Sequence, residues 1–359
     1  MNKGIIRRSS REVFVGKVGI GAHHPISVQS MTNTDTHDVM ATYRQTKALE
    51  DSGCDIVRIT APTLESVSTF AELRKMGIKV PLVADIHFNY KIAVAAIEAG
   101  VDKVRINPGN IGSREKIAEV VKAASERKCP IRIGVNSGSL EAHLLKKYGS
   151  PTPEALAESA LYNAELLEEL GFSDIIISVK ASSVPSMIAA NRILAEKVNY
   201  PLHLGVTEAG ARLSAAVKSS IGIGTLLAEG IGDTVRVSLT DDPVEEISLA
   251  REILSSLGLS DKPRMDIVSC PTCGRTKINL LLLSEKFEER ARREGLLDKN
   301  IKVALMGCAV NGPGEASDAD IGIAGGVGEA LLFKRGVSVR KIPEERIIDE
   351  LIEEIKSMV

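Results

Sequence analysis

The stretch Ile97-Glu-Ala-Gly-Val-Asp-Lys-Val-Arg105 packs a helix end, a glycine, an aspartate and the start of a β-strand into nine residues. Nearly the same order recurs in Leu49-Glu-Asp-Ser-Gly-Cys-Asp-Ile-Val-Arg58, Leu167-Glu-Glu-Leu-Gly-Phe-Ser-Asp-Ile-Ile176 and Leu227-Ala-Glu-Gly-Ile-Gly-Asp-Thr-Val-Arg236. Each copy reads as a junction where a helix stops at a left-handed glycine and the next strand begins. Outward from these junctions, β-rich runs alternate with helical stretches from Pro25 to Asp242. The runs are Ile26–Met31, Asp55–Thr60, Leu82–His87, Lys103–Asn107, Ile131–Asn136, Asp174–Lys180, Leu202–Thr207 and Thr234–Thr240. Eight βα units in series predict a closed (β/α)8 TIM barrel. The competing open doubly wound sheet lacks a Gly-x-Gly-x-x-Gly after its first strand.

Within these runs polar residues recur with period two: Asp85 and His87; Arg105 and Asn107; Arg132, Gly134 and Asn136; Ser178 and Lys180; His203, Gly205 and Thr207; Arg236 and Ser238. The alternate positions are Val, Ile or Leu. In a barrel the apolar face meets the outer helices, so the polar face points into the lumen. Arg58, Arg105, Arg132, Lys180 and Arg236 then come from five strands to one mouth, with Asp85 and Glu208 as the evident local anions. Like charges in a low-dielectric pocket repel unless an anion neutralises them, and guanidinium forks suit phosphate oxygens. The expected occupant is a small polyanion carrying more than one phosphate.

Bulk composition excludes other classes. A net charge of −2 gives no general attraction to nucleic acid or membrane, and 3% aromatics with no tryptophan leaves few stacking platforms. The N-terminus lacks the apolar core of a signal peptide, and five cysteines without such a signal fit a reducing cytoplasm. Cys54 and Cys129 read as buried structural thiols, and His23, His24 and His37 as turn residues without paired spacing. Arg11 to Ile20 alternates like a hairpin around Gly16, expected to plug the barrel bottom within residues 1–24. Gly138 to Pro153, basic at Lys146-Lys147, reads as a longer connection able to act as a flap.

Lys262-Pro263 marks the expected boundary between a barrel domain, 1–262, and a smaller α+β domain, 263–359. The latter is read as a helix from Thr276 to Glu294, strands Ile301–Leu305, Ile321–Ala324, Glu329–Lys334 and Val337–Lys341, and a helix Pro343–Ser357. It holds Cys270-Pro-Thr-Cys273 and Gly307-Cys308-Ala-Val-Asn311-Gly312-Pro313-Gly314-Glu315. Three thiolates fall one short of a closed tetrahedral site, and Glu315 follows as a weaker oxygen donor. The residues alone leave an iron–sulfur cluster, zinc or no metal open.

Cationic mouth and cysteine motif together resemble the 4-hydroxy-3-methylbut-2-enyl diphosphate synthase family over essentially the whole chain, at the length of its compact bacterial form. The resemblance implies that Cys270, Cys273 and Cys308 bind three irons of a [4Fe–4S] cluster, with Glu315 an exchangeable ligand of the fourth. It implies a cluster domain like that of sulfite and nitrite reductases, and 2-C-methyl-D-erythritol 2,4-cyclodiphosphate as substrate. Arg58, Arg105, Arg132, Lys180, Arg236 and Ser238 would hold the diphosphate, with Asn107 and Asn136 as polar neighbours. Asp85, His87 and Glu208 would lie nearer the carbon skeleton, Glu208 as proton donor. A flavodoxin or ferredoxin would supply electrons, and a head-to-tail homodimer is implied. Two rivals keep the same residues: a zinc-stabilised phosphosugar aldolase or isomerase using Lys180, and a non-enzymatic iron–sulfur redox sensor.

Overall fold

The computed structural model describes residues 4–21, 23–308, 314 and 316–359. The chain divides into two compact units, Met1–Ser260 and Asp261–Val359.

The first unit begins with a hairpin of β1 (Val13–Val15) and β2 (Val18–Ile20), followed by eight parallel strands. These are β3 (Ser27–Met31), β4 (Ile56–Thr60), β5 (Leu82–Asp85), β6 (Lys103–Ile106), β7 (Ile131–Asn136), β8 (Ile175–Lys180), β9 (His203–Leu204) and β10 (Thr234–Val235). Their order is β8-β7-β6-β5-β4-β3-β10-β9. A parallel bridge between Ile177 and Leu202, with Ile177 N–H donating to Pro201 O at 2.9 Å, joins β8 to β9 and closes the ring. The predicted (β/α)8 barrel is therefore the observed fold.

The repeated junction explains much of its register. Gly53, Gly100, Gly171 and Gly230 take φ between 78° and 85°, where an L side chain would be strained. In three copies the following aspartate ties down the neighbouring strand. Asp55, Asp102 and Asp233 accept the backbone N–H of Val28, Leu82 and Leu202 at 2.8, 2.7 and 2.9 Å. Arg251, Arg74 and Arg7 then pair with these carboxylates. The hairpin packs Val13, Val15 and Ile20 against Ile56, Val83 and Ile176 of the strands.

The last two strands are shorter than predicted. Past Leu204, a Cβ on Gly205 would stand 2.7 Å from Arg236 O and 2.8 Å from Lys180 Nζ. Beyond it Glu208 has φ of 53°. The chain there is shaped around the mouth rather than laddered. The connection after β7 is helical over Ala142–Tyr148, with Leu144 buried.

In the second unit five strands run in the order β11-β12-β13-β14-β15: Asp266–Ser269, Lys302–Met306, Ile321–Gly325, Glu329–Lys334 and Val337–Pro343. The first three are parallel and the rest antiparallel. Period two sorts β12: Val303 and Leu305 join the core with Phe287, Leu351 and Ile355 of two helices, while Ala304 and Met306 pack with Ala316, Ala319 and Phe333. Beyond shifts of one or two residues, three features depart from the sequence reading. The strand Asp266–Ser269, only four residues long, has no predicted counterpart. The long helix starts at Leu280 rather than Thr276 because Asn279 caps it, accepting from Leu282 N–H at 3.2 Å. The last helix starts at Ile347, after a tight turn over Glu344–Arg346.

Among the described residues no helix is long and apolar enough to cross a membrane.

Candidate active site

Arg58, Arg105, Arg132, Lys180 and Arg236 line one cavity of about 80 Å3, together with Asn136, Ser178, Thr207 and Ser238. The strands set them there by alternation. Val104 and Ile106 enter the outer core while Lys103 and Arg105 turn into the lumen. Gly134 makes room for this packing: a Cβ on it would fall 2.1 Å from Arg105 Nε.

Two buried carboxylates organise the cations. Asp85, wholly inaccessible, accepts from Arg58 at 2.5 Å and from Arg105 at 3.1 Å. Burial opposes its ionisation, but the two guanidiniums outweigh that and hold its carboxyl well below the usual range. His87 Nε2 lies 3.6 Å from the same carboxylate and is half exposed. The second anion is Glu246 rather than Glu208. Glu246 is buried, accepts from Arg236 Nη2 at 3.2 Å and Nε at 3.3 Å, and also accepts from Ser30 Oγ at 2.8 Å. Glu208 is exposed, at the left-handed bend after β9.

Arg132 and Lys180 have no carboxylate partner among the described residues. Arg132, 1% exposed, donates to Gln29 Oε1 across the lumen at 3.3 Å. Burial, then the surrounding arginines, push Lys180 well below the ordinary lysine range and lower Arg58 to about 10. An uncompensated buried cation costs several kcal/mol, so this arrangement favours whatever anion enters. Asn136, with its amide oxygen toward Arg105 Nη2 at 3.1 Å, extends the polar wall. Asn107 is buried and its Oδ1 accepts from Gly109 N–H at 3.2 Å, fixing the bend after β6.

The cysteines follow neighbouring strands of the second unit. Cys270 comes after β11 and Cys308 after β12, which pair in parallel. Gly307 N–H donates to Cys270 Sγ at 3.2 Å, and Lys277 N–H donates to Gly307 O at 2.9 Å. A Cβ on Gly307 would lie 2.8 Å from Thr276 Cγ2, so only glycine lets the two loops approach this closely. The exposed Cys273 thiol is lowered from its usual value by the Arg275 backbone N–H and then by its side chain. Among the described residues no three His, Cys, Asp or Glu side chains already stand at metal-binding distance. The donor set nonetheless suits a thiophilic group: three thiols on adjacent loops, one already accepting a backbone N–H and one with its proton loosened. Glu315 and the turn Asn311-Gly312-Pro313 lie outside the described residues. Cys54 and Cys129 are buried within the first unit, and burial raises both thiols to about 12, as expected of structural cysteines.

A TIM barrel with a cationic mouth, joined to an α+β unit bearing three cysteines on adjacent loops, defines a barrel enzyme class for anionic substrates. The chain belongs to the GcpE family: residues 10–251 match the GcpE TIM-barrel domain and residues 266–357 the GcpE protein C-terminal domain. It is 56% identical over 358 residues, covering 100% of both chains, to the 4-hydroxy-3-methylbut-2-en-1-yl diphosphate synthase (flavodoxin) of Ruminiclostridium cellulolyticum. Proteins with that same name are 55% identical in Clostridium perfringens, covering 98% of this chain and 99% of the relative, and 52% identical in Geobacillus thermodenitrificans, covering 100% and 94%. Among solved structures, a spore coat polysaccharide biosynthesis protein of Bacillus subtilis superposes with a TM-score of 0.50 at 9% identity, covering 69% of this chain and 73% of that one. That likeness concerns the fold alone.

Sequence reasoning missed Glu246, Gln29 and Lys103. Glu246 looks like an ordinary first-turn helix acid, and only its place beneath Arg236 reveals its part. Lys103 is fully buried with no hydrogen-bond partner for Nζ among the described residues, and its period-two relation to Arg105 was the available signal.

Proposed function

We infer that this chain catalyses the reductive ring opening and dehydration of 2-C-methyl-D-erythritol 2,4-cyclodiphosphate to (E)-4-hydroxy-3-methylbut-2-enyl diphosphate, a step of the methylerythritol phosphate route to isoprenoids. The observation that carries the residue assignments is a cavity lined by five cations, of which Arg132 and Lys180 have no carboxylate partner among the described residues. Overall, two electrons and a proton enter, a carbon–oxygen bond of the diphosphate ring and the bond to one hydroxyl break, a carbon–carbon double bond forms, and water leaves. Flavodoxin, named for the relatives, is the proposed donor.

Arg58, Arg105, Arg132, Lys180, Arg236 and Ser238 are assigned to the diphosphate, with Asn107 and Asn136 beside them. The strands hold these groups before substrate arrives, so little reorganisation is needed as the leaving diphosphate gains charge. Asp85 keeps Arg58 and Arg105 oriented. His87 and Glu208 stand at the exposed ends of their segments, where a side chain can exchange protons with water. Glu208 is the chosen donor, its left-handed backbone being the kind of strain found at functional sites. Cys270, Cys273 and Cys308 are assigned to a [4Fe–4S] cluster, with Glu315 as its oxygen ligand. Such a group supplies the single electrons that side chains do not.

Anaerobically reconstituted protein should be brown, contain iron and sulfide, and convert the cyclodiphosphate with reduced methyl viologen. A colourless zinc protein, or one with iron and no turnover, would overturn the assignment. Two copies are proposed to act together as a dimer. Mixing Arg132→Ala chains with Cys308→Ser chains should then restore activity, and no recovery after confirmed subunit exchange would count against it.

A further inference from the structure

The helix Arg212–Ala228 packs Ala215, Ile223 and Leu226 into the barrel core and turns a second apolar stripe outward. Leu213, Val217 and Ile221, each about one turn after the last, are 79%, 50% and 53% exposed. Ser220, Gly224 and Ala228 lie on the same face at three- and four-residue steps. No charged residue falls on this stripe, for the charges of the helix are Arg212 and Lys218. A surface helix ordinarily turns charges to water, as Arg114–Arg127 does with Glu119, Lys122 and Glu126. The charges at the two ends, Arg212 and Glu229, are already paired inside the chain, with Glu245 at 2.8 Å and Arg192 at 2.5 Å. A row of exposed aliphatic side chains between internally paired charges marks a contact surface.

Gly224 is a second, independent observation. The barrel needs Gly222 of the same helix, where a Cβ would stand 2.7 Å from Met187 Cε and 2.8 Å from Val206 Cγ2. A Cβ on Gly224 would meet nothing within 4 Å. Glycine inside a helix is destabilising relative to alanine, and no packing among the described residues calls for it here. What Gly224 provides is a place where another backbone can come close. The stripe also complements its own reverse. Turned end for end about the point between Ser220 and Ile221, it sets Leu213 opposite Ala228, Val217 opposite Gly224 and Ile221 opposite Ser220. Each large side chain then meets a small one.

We propose that this stripe is a seam between two copies of the chain, the two helices crossing antiparallel on a two-fold axis between Ser220 and Ile221. The proposal rests on the dimer reading above and gives that dimer a barrel-to-barrel contact; it does not use the reaction. A two-fold axis brings one patch against itself, so a charge at its centre would face its own kind. A neutral stripe with large and small residues in self-complementary order therefore suits a second copy. An acidic electron carrier would find no cation in it to select that partner.

The test is sedimentation equilibrium of the anaerobic, full-length holoenzyme. Wild type should be dimeric, and Val217→Glu and Gly224→Arg should each raise the dimer dissociation constant about a hundredfold, since each substitution enters the seam twice. Tyr162→Glu, which alters a similarly exposed side chain on the helix Pro153–Glu169, should leave it within about threefold. Iron content and far-ultraviolet circular dichroism should match wild type in all three. In air-oxidised protein, Ser220→Cys should form a chain-to-chain disulfide beyond the wild-type level. Leu213→Cys should not, because its two copies would stand about 22 Å apart along the seam. A monomeric wild type, or a dimer indifferent to both Val217→Glu and Gly224→Arg, would overturn the proposal. Weakening by Val217→Glu alone, or cross-linking through Leu213→Cys and not Ser220→Cys, would overturn the two-fold register. If the seam forms and the cyclodiphosphate is not turned over, the reductase reading is what fails. If paired chains of Arg132→Ala and Cys308→Ser stay inactive, the shared site fails and the seam stands.

Discussion

The barrel mouth and the cysteine face stand at opposite extremes of preparation. In the mouth, Arg58, Arg105 and Arg236 are already tied to Asp85 and Glu246, and Gly134 and Gly205 leave the space that Arg105 and Lys180 fill. On the cysteine face, Cys273 is exposed and no three donor side chains among the described residues stand at metal-binding distance. A (β/α)8 scaffold builds an anion site from strand alternation and needs no ligand to set it. The thiol loops are brought near one another by Gly307 and its backbone hydrogen bonds, and final geometry is left to the group they bind.

The sharpest break in this comparison is Cys308→Ser. It should abolish turnover while leaving cyclodiphosphate affinity within about threefold of wild type, because the mouth does not depend on the cluster. A parallel loss of affinity, read by calorimetry, would tie the two sites together. Next in size, Arg132→Met should weaken cyclodiphosphate binding about thirtyfold or more, since it removes a desolvated cation from the anion seat. Iron content should not change, and a loss of iron would contradict the separation.

Asp85→Asn should cost about 3 kcal/mol of stability near neutral pH, because Arg58 and Arg105 lose their shared buried partner. The native carboxyl lies below its unfolded value, so its stabilising effect is complete above the unfolded value of about 4 and fades as pH falls toward the native one. The gap between wild type and variant in urea titrations should therefore narrow in acid. A gap that widens there would refute the assignment of charge.

The smallest expected effect is a gain. Lys103 Nζ is buried with no hydrogen-bond partner among the described residues, and burial, then Arg132 and Arg58, push its ammonium well below the ordinary range. Wild-type stability then rises with pH between the native value and the unfolded one near about 10.4, because the unfolded state binds the extra proton. Lys103→Met should be more stable by on the order of 1 kcal/mol at neutral pH, with the advantage shrinking toward alkaline pH. Destabilisation at neutral pH would show that Lys103 has a partner after all.

The barrel was legible in the chain because its signals are local. A glycine at a helix end and alternation along a strand can each be read within ten residues, and the junction Ile97 to Arg105 displays both. The cations were legible for the same reason. Glu246 was not, since its function comes from a helix packing under Arg236, a relation that no spacing encodes. Glu208 drew the role of local anion by sequence proximity, yet it is exposed and Arg236 pairs with Glu246 instead. In the second unit, Asp266–Ser269 escaped notice because four residues of mixed exposure carry no period. Its pairing with Lys302–Met306 is what places Cys270 beside Gly307.

The most direct test of the central claim is a calorimetric titration of 2-C-methyl-D-erythritol 2,4-cyclodiphosphate into protein freed of iron. The mouth as described should bind it with one site per chain, and Arg132→Met should reduce that binding about thirtyfold or more. Binding that appears only after iron and sulfide are restored, or that is indifferent to Arg132, would contradict a substrate seat built by the barrel alone.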